Sequence, residues 1–117
     1  MNLRGVHHVS LNVADVETAG RFYTDVLGLE VLPRPDFGFP GMWLRAGDQE
    51  IHLIRVEDHA APEGQHFAFR VDDLEDTLAQ LAEHGVRTRG PIDLPGGRQA
   101  FLKDPSGNLI ELNQPKT

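Results

Sequence analysis

With 117 residues, 39% of them hydrophobic, the chain has material for one compact domain, or for two very small units sharing a core. The absence of cysteine excludes disulfides, thiolate metal sites and cysteine nucleophiles, and restricts any bound metal to nitrogen and oxygen donors. A net charge of −7 argues against duplex nucleic acid and anionic membrane surfaces, and no run is long and apolar enough to span a bilayer; with no signal-peptide pattern in MNLRG, a soluble cytoplasmic protein is expected.

The first element, GVHHVSLNV at residues 5–13, alternates polar and apolar residues as a strand with one packed face does. The pattern then turns helical, with Ala19, Phe22, Tyr23, Val26 and Leu27 on one stripe, Asp15 placed to cap the first turn and Gly28 to end the last. EVLPRPDFGFPG, rich in proline and glycine, leads into the hairpin MWLRAGDQEIHLIRV, which turns at Gly47-Asp48. Phe37, Phe39 and Trp43 stand at this point as cavity-mouth or core aromatics.

After VEDHAAPEG the same order returns. A strand pattern ends at Val71, Asp73 caps a helix whose apolar stripe is Leu74, Leu78, Leu81 and Ala82, and Gly85 stops it. VRTRGPIDLPGG then precedes the hairpin QAFLKDPSGNLIELNQ, with Asp104-Pro105-Ser106-Gly107 as a type I turn. The expected fold is α+β, a single domain over residues 1–117 made of two tandem β-α-β-β-β modules, approximately 1–57 and 64–117.

Period 2 separates the histidines. Val9, Leu11 and Val13 share a face with His7, which falls on the side packed against the helices or at its edge, whereas His8 shares the other face with Ser10 and Asn12. The same rule sets His52 apart from Ile51 and Leu53, His66 from Phe67 and Phe69, and Glu111 from Ile110 and Leu112. Three imidazoles and a carboxylate, each on a strand face turned away from the helices, suit a divalent metal with positions left open for substrate. Asn12 and Arg70 share those faces, as substrate-binding residues or as ordinary cross-strand partners. His59, in a loop, and His84, at a helix end, need no function.

HHVSLNVADVETAGRFYTDVLGLEV and FLKDPSGNLIEL, with IHL and HFAFRV between them, resemble the vicinal oxygen chelate superfamily, which includes glyoxalase I, bleomycin-resistance proteins, methylmalonyl-CoA epimerase and extradiol dioxygenases. The resemblance implies a cupped mixed sheet with helices on its outer face and a divalent ion (Zn, Ni, Mn, Fe or Co) held at His8, His52, His66 and Glu111, with Glu111 also moving a proton. It implies a glyoxalase-like lyase, isomerase or epimerase acting on a small oxygen-bearing substrate, in a homodimer whose sites are shared between chains. The alternatives are a drug-binding resistance protein and an iron(II) extradiol-type dioxygenase. Where glyoxalase I has a second carboxylate ligand, this chain has His52.

Overall fold

A computed structural model describes residues 1–117. In chain order it contains β1 (His8–Val13), α1 (Val16–Arg21) running into a π-helical turn over Phe22–Val26, β2 (Glu30–Leu32), β3 (Gly41–Ala46) and β4 (Gln49–Arg55). These are followed by β5 (His66–Arg70), α2 (Leu74–Glu83), β6 (Arg89–Leu94), β7 (Gly97–Lys103) and β8 (Leu109–Pro115). Two four-stranded mixed sheets result, ordered β1-β4-β3-β2 and β5-β8-β7-β6. This is the α+β arrangement of tandem β-α-β-β-β modules. The chain divides into two compact units, Met1–Ala60 and Ala61–Thr117.

Each unit pairs its first strand with its last in parallel, β1 with β4 and β5 with β8, while the remaining pairs are antiparallel. A parallel pair needs a crossover, which the helix and the two intervening strands supply. The consequence for function is that residues far apart in sequence become cross-strand neighbours on one face.

The local signals act as their chemistry demands. The Asp15 carboxylate accepts a hydrogen bond from the Glu17 N–H at 3.2 Å and from Thr18 Oγ1 at 2.7 Å; these bonds, Thr18's foremost, hold its carboxyl below the usual range. Asp73 caps α2 by accepting from the Asp76 N–H at 3.0 Å. Gly28, at φ +77°, takes the left-handed conformation that ends the first helix. The Asp104 carboxylate folds its hairpin by accepting from the N–H groups of Ser106 and Asn108, both at 2.9 Å.

Two details depart from the sequence pattern. The first helix is not α-helical throughout: Leu27 N–H donates to the Phe22 carbonyl at 3.1 Å, and in this widened turn the consecutive Phe22 and Tyr23 are both buried. In α2, Leu74 and Leu81 are buried but Ala82 is exposed, because it lies about 80° round the helix from Leu74 and falls off the stripe.

Val13, Ala19, Tyr23, Leu44, Ile51 and Leu53 form the core of the first unit, and Leu74, Leu81, Ala100, Leu102, Ile110 and Leu112 that of the second. Helix and sheet approach closely at Gly20, where a Cβ would lie 2.7 Å from Met42 Cε and the flexible methionine would have to move. Leu53 sits on the central strand β4 and is fully buried. Leu53→Ala is therefore expected to cost about 2–5 kcal/mol, read by chemical denaturation. A loss below about 1 kcal/mol would show that this core tolerates the cavity. No helix is long and apolar enough to cross a membrane.

Candidate functional site

In the first unit the parallel register sets Ser10 opposite His52 and His8 opposite Glu50, and β3 places Trp43 on the other side of His52. His52 is only 8% exposed, and its ring lies between two others. The His8 ring stacks at a centroid distance of 4.0 Å and 14°, and the Trp43 ring at 4.4 Å and 11°. His52 Nε2 stands 2.8 Å from Glu50 Oε1, and this hydrogen bond holds the Glu50 carboxyl below the usual range. Loss of hydration, then the neighbouring His52 and His7, lower the His8 imidazole from its ordinary value, which favours the neutral form that ligates a metal.

His7 does not pack against the helical layer. It precedes β1, so the strand alternation does not reach it; it is exposed, its Nδ1 is 2.9 Å from His8 Nδ1, and its carbonyl accepts from the Glu50 N–H. Phe37 and Phe39 are exposed, not core.

In the second unit the equivalent register sets Ala68 opposite Glu111 and Phe101 on Glu111's other side. His66 Nε2 lies 3.1 Å from Glu111 Oε1, while His66 Nδ1 is 2.9 Å from the Gly64 carbonyl. Asn113 Nδ2 donates to Glu111 Oε2 at 2.9 Å, and Phe101 meets the His66 ring edge-on at 5.4 Å and 81°. The row Ser10, His52, Trp43 in one unit thus corresponds to Ala68, Glu111, Phe101 in the other.

Each unit therefore assembles one pair of candidate ligands, His8 with His52 and His66 with Glu111; in neither is a group of three or more His, Asp or Glu side chains arranged to hold a metal ion. Asn12 lies on the His8 face of β1 and Arg70 on the His66 face of β5, both exposed. Sequence reasoning missed Glu50 and Asn113. Each is two residues from a candidate ligand on the same strand, so the alternation that selected His52 and Glu111 also puts these neighbours on the same face.

The His66 contacts bear on what the pair can hold. Both ring nitrogens face acceptor oxygens, and a neutral imidazole carries one proton. If Nδ1–H donates to the Gly64 carbonyl, the Nε2 lone pair meets a carboxylate oxygen, and a cation, proton or metal belongs between them. Two donors sharing an ion at roughly 2.0–2.2 Å stand about 2.8–3.6 Å apart; the 3.1 Å separation lies in that range.

Residues 5–112 match the model of the Glyoxalase/Bleomycin resistance protein/Dioxygenase superfamily, and the chain belongs to that superfamily. It is 31% identical to a probable lactoylglutathione lyase of Vibrio cholerae, over 99% of this chain and 94% of that protein. To the mitochondrial methylmalonyl-CoA epimerase of Mus musculus it is 28% identical, over 93% and 72% of the two chains. Among solved structures it resembles a protein assigned to the glyoxalase family from Bacillus anthracis, with a TM-score of 0.91 at 27% identity over 99% and 98% of the chains. TnmS3, an antibiotic-binding protein from Streptomyces sp. CB03234, is similar with a TM-score of 0.82 at 32% identity over 99% of both chains.

Proposed function

We propose that the chain is a divalent-metal-dependent enzyme with glyoxalase-like lyase or isomerase chemistry on a small oxygen-bearing substrate. The observation that carries this reading is the His66–Glu111 pair: an oriented imidazole nitrogen and a carboxylate oxygen 3.1 Å apart, each held from behind by a partner, Gly64 or Asn113. His8 and His52 are the second half of the donor set, and relatives named as a lyase and an epimerase support the reaction class.

Each unit carries half of the set, and in this reading the complete site is shared between the chains of a homodimer. Bound there, the ion would polarise paired substrate oxygens as a Lewis acid. Gly64 holds His66 by Nδ1 so that Nε2 is the ligating atom, and Glu50 holds His52 by Nε2. Asn113 donates to Glu111 Oε2 and His66 faces Oε1, so the carboxylate is held in place from both sides; as the base, Glu111 would take a proton from a substrate carbon and return it at the neighbouring position. Asn12 and Arg70 bind the substrate's oxyanion.

Metal analysis of protein purified without chelator is the direct test, with about one divalent ion per chain expected. Turnover is then screened with hemithioacetals and 2-acyl thioesters in the metal found. Protein that neither carries a divalent ion nor takes one up on titration would overturn the reading.

A further inference from the structure

We propose that the loop between β2 and β3, with Trp43, is a platform that binds a planar aromatic anion beside His52. This deepens the reading above by naming a substrate class, and it rests on His52 belonging to the site.

Phe37 and Phe39 are 50% and 46% exposed, and as neighbours they form an apolar patch open to a ligand. They are not isolated. The Phe39 ring stacks on Phe37 at 5.8 Å and 22°, Phe37 reaches Trp43 at 6.0 Å, and Trp43 stacks on His52 at 4.4 Å. A continuous row of rings thus leads from the loop surface to a candidate ligand. The loop is built to hold this shape: Asp36 Oδ1 accepts from the Gly38 N–H at 2.9 Å, and Gly38 sits at φ +84°.

Arg34 supplies the charge. Its guanidinium carbon lies 5.0 Å from the Phe37 centroid and 5.1 Å from that of Phe39. It packs so closely on Gly41 that a Cβ there would stand 2.7 Å from Arg34 Nη2. The chain's ion pairs involve Arg21, Arg45, His52, His66 and Arg98, and none involves Arg34. A cation without a carboxylate, fixed over exposed rings, matches a ligand with a flat π face and an anionic group; the planar guanidinium fork suits a carboxylate in particular. The second unit has only a reduced counterpart, the single ring of Phe101 with Arg89 5.0 Å from its centroid. The row ends on His52 instead of widening into an apolar face, so the occupant is a small molecule that spans loop and site.

Trp43 is the only tryptophan, so its indole N–H resonance reports on the platform without further labelling. The full-length protein, stripped of metal, is titrated with 2-naphthoate, with cyclohexanecarboxylate as the non-aromatic anion and 2-naphthalenemethanol as the uncharged ring. Saturable movement of the Trp43 resonance is expected with 2-naphthoate and not with cyclohexanecarboxylate. Arg34→Gln is expected to weaken 2-naphthoate by about fivefold or more while leaving 2-naphthalenemethanol within about twofold. Phe37→Leu weakens both ring compounds, and the amide spectrum of each variant reports folding; if Phe37→Leu unfolds, Arg34→Gln alone decides. Equal binding of cyclohexanecarboxylate, no saturable shift with 2-naphthoate, or no effect of Arg34→Gln would overturn the platform.

His66→Ala, in the other unit, separates the two readings, since it is expected to abolish metal binding while 2-naphthoate binding stays saturable and sensitive to Arg34→Gln. Wild-type protein that binds 2-naphthoate but no divalent ion overturns the enzyme reading and sustains the platform. Protein that binds the ion but not 2-naphthoate does the reverse.

Discussion

Mixing His8→Ala chains with Glu111→Ala chains is expected to restore metal binding and turnover to about a quarter of the wild-type level, although each variant alone has neither. The two substitutions fall in different units, and each unit assembles one pair of the proposed ligands, His8 with His52 or His66 with Glu111. If a site draws one pair from each of two chains, random association makes about half of the dimers mixed. In those dimers one site combines the two intact pairs and the other combines the two damaged ones. Removing one ligand is expected to weaken metal binding by more than ~100-fold, the upper range seen when only a supporting partner of a ligand is lost. The damaged sites therefore contribute nothing at a free-metal concentration held between the dissociation constants of the wild type and of the separate variants. Equilibrium dialysis of the mixture after a denaturation and refolding step measures the recovery. No recovery, with both variants folded, would mean that each site belongs to one chain and would overturn the shared dimer while leaving the ligands in place.

His52→Glu is expected to raise isomerisation of a hemithioacetal by roughly 100-fold over wild type, the lower end of what a positioned acid–base group supplies. Glu111 is the one carboxylate among the four candidate ligands, and a second carboxylate at position 52 would share with it the removal and return of the substrate proton. The structure adds a complication, because Glu50 Oε1 is 2.8 Å from His52 Nε2 and an introduced carboxylate would meet a like charge. The double variant Glu50→Gln/His52→Glu removes that repulsion and is expected to be at least as active as the single one. Strong wild-type isomerisation would overturn the need for a carboxylate at position 52 and assign the second role to Glu50. Glu50→Gln would then abolish the activity.

Much of this was legible from residues alone. Period 2 assigned His8, His52, His66 and Glu111 to the faces opposite the apolar positions, because a strand's side chains alternate whatever its neighbours are. Asp15 and Asp73 marked the helix starts and Gly28 a helix end, since caps satisfy the backbone groups that the first and last turns leave open. Glu50 and Asn113 were equally available to the alternation rule, but their roles rest on the contacts with His52 and Glu111, which the rule does not specify.

What the sequence determined by itself was therefore the order of elements, the internal repeat and the face on which each chemical group lies, all of which follow from spacing within one segment. Tertiary structure alone decided which groups meet: the parallel register bringing Ser10 opposite His52 and Ala68 opposite Glu111, the stacking of His8 and Trp43 on His52, and the His66–Glu111 contact. It also decided the π-helical turn at Phe22 and the contact of His7 with His8. Strand alternation specifies a side but carries no information on which distant strand lies beside it. Register is set by the packing of whole apolar faces and the geometry of the turns, so the partners of a polar residue are chosen by residues that never touch it.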